Sequence, residues 1–403
     1  MNRRAIESRR AAALATLRLQ YPDTLSAVGV RPLHPRTGDP YPDDERHLVA
    51  TCRSVSNFAI GALLDGPDWC QDAANRALEC LHPFRATDGS GYHRLVASTG
   101  EPTDRTRSAY GHAFVLLAYA RATDAGIDGA RDRLEHAADL IDDEFRDAGG
   151  LIRSDCDPDW TEREPYRGQN ANMHACEAFL AAHEATDDIR HLERAGQIAE
   201  RIAVELATET DGLLWEHYTD EWEHDFAYNR DRPHHQFRPP GYQPGHHVEW
   251  AKLLALLDRY DDANAPPDGW YERATELFDA AVDLGWTGDG FAYTVDADGA
   301  TIVSDRYGWA LAEGIGAAAA LAERASAHGD VEARDRFLSW ESRFLECADE
   351  YRGPAGLWYE KRLADAQGGD LLAPEPPVVE PDYHPVTAFF ESWRSRRAIA
   401  DSR

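Results

Sequence analysis

Lysine is almost missing from this chain. Lys252 and Lys361 are the only two in 403 residues, and arginine supplies the rest of the 42 basic side chains. Acidic residues number 72, so the formal net charge is −30. That balance argues against nucleic acid and anionic membranes as partners. The acids are spread along helical segments and form no block, which argues against an acidic tail. An acidic, lysine-poor surface is the composition expected of a halophilic protein, because molar salt screens self-repulsion beyond about 3 Å.

Long apolar runs are also missing. A membrane span needs roughly 18 consecutive apolar residues. The longest small-apolar run, GIGAAAALA, is too short and reads as buried helix. The opening segment, MNRRAIESRRAAALATLRLQ, is basic but lacks the apolar core of a signal peptide, so a cytoplasmic location is expected. The six cysteines (Cys52, Cys70, Cys80, Cys156, Cys176 and Cys347) make no C-x-x-C pair and no zinc spacing. They are expected to be buried free thiols.

What the chain does have is helical periodicity. Helices are predicted over 3–19, 45–64, 67–81, 105–123, 130–146, 169–186, 189–208, 246–260, 268–284, 306–325, 331–350 and 384–401. They form six pairs. A second signal keeps the same rhythm: a glycine before an aromatic-rich extended stretch, at Gly91, Gly150, Gly212, Gly290 and Gly356. Each stretch follows the second helix of a pair, which marks a repeat architecture. An open array would need polar end caps. Here the first and last helices are both amphipathic, so each needs a partner. If the first is an outer helix and the last an inner one, they close a ring. The expected fold is all-α: a single (α/α)6 barrel spanning residues 1–403.

In such a barrel the first helix of each pair lines the centre. Those helices carry unusual polar residues near their starts: Arg53, Tyr110, Asn170 and His174, His246 and Glu249, Trp309 and Glu313, and His384. One histidine in an apolar helix is ordinarily a hydrogen-bonded core residue. Three histidines, an arginine and two carboxylates at one level are different. Burying them costs several kcal/mol unless they are paired or face a solvated cavity. Convergent titratable groups in a cavity are the signature of a site. Pro244-Gly245 places His246 in a first helical turn, and Pro385 makes His384 the expected N-cap. The positive helix end disfavours an imidazolium, so both are expected as neutral bases. His174 and Glu177, like His246 and Glu249, are three apart on one helix face. A metal reading would add His234 and His235, but there is no H-E-x-x-H motif and no facial-triad spacing. No metal is expected.

Two segments carry a family resemblance. RGQNANMHACEAFLAAHEATDDIRHLERAGQIAERI and FRPPGYQPGHHVEWAKLLALL resemble N-acylglucosamine 2-epimerase-type enzymes, especially their D-mannose isomerase and sulfoquinovose isomerase branch. The resemblance runs from about Arg53 to His384. It implies an (α/α)6 barrel acting on a free sugar, with no metal and no organic cofactor, through a cis-enediol. It implies His246 and His384 as the acid/base pair, with His384 carrying the proton between C2 and C1. It implies His174 in ring opening or oxygen contacts. Arg53, Tyr110, Asn170, Arg238, Glu249, Trp309 and Glu313 would line the sugar site, and Trp309 and Trp358 can stack on a sugar face.

Two departures bear on the substrate. Tyr307-Gly308 stands before Trp309, where relatives carry another bulky residue, which would reshape the site. Glu380 precedes His384 by four residues. If it faces the site it repels an anionic sugar and favours a neutral hexose such as mannose. The expected partner is therefore a small sugar, with a homo-oligomer left open. Conversion of mannose to fructose leads. A 2-epimerase, a sulfoquinovose isomerase, a glycoside hydrolase on the same barrel and a non-catalytic sugar binder are the alternatives.

Overall fold

In the computed structural model, residues 3–260, 266 and 269–402 are described. Twelve α-helices are present among them: α1 (Arg3–Gln20), α2 (Leu48–Leu63), α3 (Trp69–Glu79), α4 (Ala109–Asp124), α5 (Ala130–Leu140), α6 (Gln169–Thr186), α7 (Ile189–Ala199), α8 (Pro244–Tyr260), α9 (Trp270–Gly285), α10 (Gly308–Ala327), α11 (Val331–Ala348) and α12 (Tyr383–Asp401). The expected helix 268–284 starts on a position outside the described residues. None of these helices is long and apolar enough to cross a membrane.

The even-numbered helices form an inner ring, in which α12 packs back on α2. Their sides are buried nearly all round; in α8 every residue from Pro244 to Asp258 is buried. Small residues let them approach, as in the Gly314–Ala320 run of α10. The odd-numbered helices pack outside with one apolar stripe each. The first and last helices do complete each other: α1 covers α12. Glu341 of α11, fully buried, accepts hydrogen bonds from Arg396 and Ser392 of α12 and from Arg9 of α1. This ion cluster ties the chain ends to the ring.

The glycine–aromatic stretches have a common anchor. In four of the five, a backbone N–H near the glycine is caught by a polar side chain at the start of the next inner helix. Tyr92 N–H donates to His112, Ile152 N–H to Asn172, Leu214 N–H to His247 and Trp358 N–H to Asp382, at 2.7–3.1 Å. His112, Asn172 and His247 are each the fourth residue of their helix. Positive φ at Gly150 (89°) and Gly356 (86°) makes the tight turns that present these N–H groups. His112 and His247 are therefore core anchors, and burial holds both down at about 4.

Short strands were not expected beside the helices. Nine are present among the described residues. Three run directly into inner helices: β1 (Glu45–His47) into α2, β4 (Arg167–Gly168) into α6 and β7 (Thr301–Tyr307) into α10. Two of these helices, α2 and α10, consequently start later than the periodicity suggested, while α6 starts at Gln169 as expected. The strands pair antiparallel in three small sheets and fix where these three inner helices begin. Of the cysteines, five are buried and Cys347 is half-buried; all are free.

Candidate active site

Because strands and anchors set every inner helix at the same level, the first turns converge on one cavity. It is lined by Arg53 of α2, Tyr110 of α4, Asn170 and His174 of α6, His246 and Glu249 of α8, Trp309 of α10 and His384 of α12. Trp358 enters from the loop after α11. Nine of the eleven expected residues thus share one cavity. Glu313 lies behind His384 instead of facing the cavity. Arg238 stands apart, at the rim of an adjoining pocket. Its guanidinium is engaged bidentately by Glu164 (2.7 and 3.0 Å) and lies 3.9 Å over the Tyr166 ring. His234 and His235 lie in the loop before α8, where His235 Nδ1 accepts the N–H groups of Phe237 and Arg238.

His384 is not the N-cap of α12. Asp382 holds that place with φ 53°, and its neighbour Tyr383 donates its N–H to Glu380. His384 is the second helical residue, and Pro385 the third, where a missing N–H costs nothing. The imidazole Nδ1 is 2.7 Å from Glu313 Oε1. On the other side, Arg53 NH2 is 3.4 Å from Nε2. A guanidinium only donates, so Nε2 is the acceptor and Nδ1–H donates to Glu313. Both contacts select one tautomer, with the lone pair at Nε2, where Arg53 donates to it.

Glu380 lines the cavity. Its Oε2 pairs with Arg53 at 2.9 Å and lies 3.5 Å from His384 Nε2. Arg53 NH2 also donates to the Tyr110 hydroxyl at 3.1 Å.

His246 is oriented in the same manner by a carboxylate from another repeat. Its Nδ1 lies 2.9 Å from Glu216 Oε2. Gln169 fixes this carboxylate: its oxygen accepts the Trp250 indole N–H at 2.7 Å, so its NH2 must point to Glu216, at 2.8 Å. Burial raises Glu216, but the neighbouring His246 and Gln169 outweigh it and leave the carboxyl below its ordinary range. Trp309 touches both histidines, with ring centroids at 5.1 Å from His246 and 5.9 Å from His384. Gly245 makes room for it: a Cβ there would fall 2.6 Å from the indole. Gly308 does not widen the cavity. A Cβ there would press on Tyr359, Tyr351 and Trp358 at 3.1–3.3 Å, so close loop packing explains it.

Below the cavity lies a charged floor. His174 Nδ1 bonds Glu177 at 3.0 Å, as the spacing suggested, and burial holds the imidazole down at about 4. Tyr383 donates to the other Glu177 oxygen at 2.9 Å. The Lys252 ammonium bonds Glu313 and lies 3.8 Å from Glu177. Glu249 has a buried Oε1 without a hydrogen-bond partner. Burial and then the charge of Glu313 push Glu249 well above the ordinary range, so it is a neutral acid that can donate to a ligand.

These shifts set a stability–pH relation. His47, His112, His174 and His247 are held at about 3 to 4, so the native state keeps them neutral where the unfolded chain protonates them. Asp382, raised to about 7, and Glu249 act in the opposite sense. Among these six groups the unfolded chain binds two more protons between about pH 4.5 and 6. These six groups together make stability fall on acidification through that window by about 3 kcal/mol per pH unit. Urea denaturation at fixed salt, at pH 6 and pH 5, measures it.

The geometry has relatives. The model of the N-acylglucosamine 2-epimerase family matches residues 33–388. The chain belongs to that family. A D-mannose isomerase of Thermobifida fusca is 40% identical over 344 residues, 83% of this chain and 82% of that one. A D-mannose isomerase of Marinomonas mediterranea is 35% identical over 360 residues, 88% of each. A crystal structure of D-mannose isomerase superposes with a TM-score of 0.86 at 31% identity, covering 98% of both chains. The (α/α)6 barrel is thus the fold of this family member.

Sequence reasoning missed Glu216, Gln169 and Lys252, although each had a signal. Glu216 directly follows the Gly212–Trp215 repeat stretch. Gln169 begins the Q-N-A-N-M-H run, and Lys252 is one of two lysines, three residues after Glu249. Two groups at the cavity have the spacing of metal ligands: His174, Glu177 and Glu249, and Glu249, Glu313 and His384. Lys252 already supplies a cation there, bonded to Glu313 and close to Glu177.

Proposed function

We propose that this protein is an aldose–ketose isomerase that converts D-mannose to D-fructose through a cis-enediol, with no metal or organic cofactor. The observation that carries this reading is a pair of imidazoles on one cavity, each with Nδ1 tied to a buried carboxylate, leaving Nε2 for the sugar. His384 removes the C2 proton of the open-chain aldose. Arg53 and the neutral Glu249 donate to the developing enediolate. His246 moves the hydroxyl proton from O2 to O1, and His384 returns its proton to C1, leaving a carbonyl at C2. His174 serves ring opening, while Tyr110, Asn170, Trp309 and Trp358 bind the sugar. If His246 instead delivers a proton to the opposite face of C2, the product is the epimer. A hydrolase would need two free carboxyl groups flanking the bond. Glu313 is engaged by His384 and Lys252, which favours isomerisation. Incubation with mannose and EDTA tests this: fructose supports it, glucose alone makes the protein an epimerase, and chelator-sensitive turnover overturns the metal-free mechanism.

Glu380 beside Arg53 supports a neutral substrate over a sulfonated one. Glu380→Gln is expected to lower KM for sulfoquinovose by about tenfold or more, since a like-charge contact costs several kcal/mol. Steady-state kinetics with both sugars measure this shift. The acidic, lysine-poor composition further supports a salt-adapted enzyme with no nucleic-acid or anionic-membrane partner, and the closed ring of helices supports a single domain.

A further inference from the structure

Lys252 is buried at the centre of the barrel, although charged side chains are rarely buried without a task. Its stem passes Gly316 of α10, where a Cβ would stand 3.3 Å from Lys252 Cδ, so the packing makes room for it. The ammonium joins two histidine–carboxylate pairs from below. One is Glu313 with His384; the other is Glu177 with His174. Around Glu313 stand Lys252 and Glu249 from α8, Glu177 from α6, and His384 and Tyr383 from α12. Two of these neighbours are carboxyl groups, so without Lys252 no permanent cation among them would face Glu313.

We propose that Lys252 is a positioning residue whose ammonium keeps Glu313 a carboxylate, and thereby keeps the His384 proton on Nδ1 and the Nε2 lone pair on the sugar. This rests on His384 being the base. A protonated Glu313 would donate to Nδ1 instead of accepting from it. The imidazole proton would then sit on Nε2, facing the cavity, and the base would be lost. Burial raises Glu313, but Lys252 and then His384 outweigh it, so the carboxyl stays below its ordinary range. The inference concerns control of the tautomer, because Lys252 does not line the cavity.

The test uses Lys252→Met, with Lys252→Gln as a second variant, in the full-length enzyme. Mannose turnover is followed from pH 5.5 to 10, and His384 is observed by 15N NMR of histidine-labelled protein, assigned with His384→Ala. At pH 7 kcat is expected to fall about 100-fold with KM little changed. The acid limb should move up by about 1–3 pH units, with activity recovering in alkali. The His384 ring should carry its proton on Nε2. An unmoved acid limb, or a ring still protonated on Nδ1, overturns the proposal while leaving the isomerase reading intact. Glu313→Gln, a neutral isostere that retains Lys252, should show the same loss without alkaline recovery. Wild-type turnover in that variant also overturns it, even if neither Lys252 variant folds.

Discussion

His384→Ala should lower kcat for mannose isomerisation by about 10³-fold while changing KM little, because general acid–base catalysis typically contributes 10²–10⁴. The side chain has two fixed partners, Glu313 at Nδ1 and Arg53 at Nε2, so only the ring itself can present a basic nitrogen there. Alanine leaves Arg53, Trp309 and Glu249 in the cavity, which preserves sugar binding. The loss should therefore fall in the chemical step. His246→Ala should also be severe but distinct: its partner Glu216 stays bonded to Gln169, so the floor on that side remains ordered. Steady-state kinetics on both variants, with folding checked by circular dichroism, measure this. Full activity in either removes that residue from the pair.

The largest expected effect on stability is at the seam. Glu341→Ala should destabilise the protein by about 3–5 kcal/mol, the usual cost of leaving a buried charge without its partner. Arg396 is only 8% exposed and directs its Nε and a terminal nitrogen at Glu341. Arg9 and Ser392 share the same carboxylate. One deletion thus loosens α1, α11 and α12 together, where the ends of the chain close the ring. Added salt should restore little of the loss, because buried pairs are weakly screened. Urea denaturation in constant potassium chloride measures the change. A loss near that of an ordinary surface substitution, within about 0.5 kcal/mol, would mean that the seam does not hold the ring.

Much of this was legible in the sequence, for physical reasons. Inner helices are buried all round, so polar residues at their starts stood out: Arg53, His174, His246 and His384 all face the cavity. Amphipathic ends foretold that α1 would cover α12. Most of the short strands were not legible, since two- and three-residue pairings leave no period to read. They also moved the starts of α2 and α10, from 45 to 48 and from 306 to 308. Tertiary partners were equally hidden. Glu216 and Gln169 reach His246 from 30 and 77 residues away, a relation no local spacing encodes. The left-handed Asp382 moved His384 two places, from N-cap to second helical residue, which the proline alone did not foretell. Arg238 came from resemblance, and its pairing with Glu164 sets it beside the cavity instead of in it.

The mechanism proposed for this barrel is proton transfer by a histidine without a metal. Mannose carrying deuterium at C2, incubated with the enzyme in ordinary water and EDTA and followed by NMR, tests it most directly. Fructose should form at the same rate with and without EDTA, with part of the deuterium lost from C1 to solvent through the imidazole. Complete retention of deuterium at C1, with turnover abolished by the chelator, would contradict it and indicate a metal-assisted hydride shift.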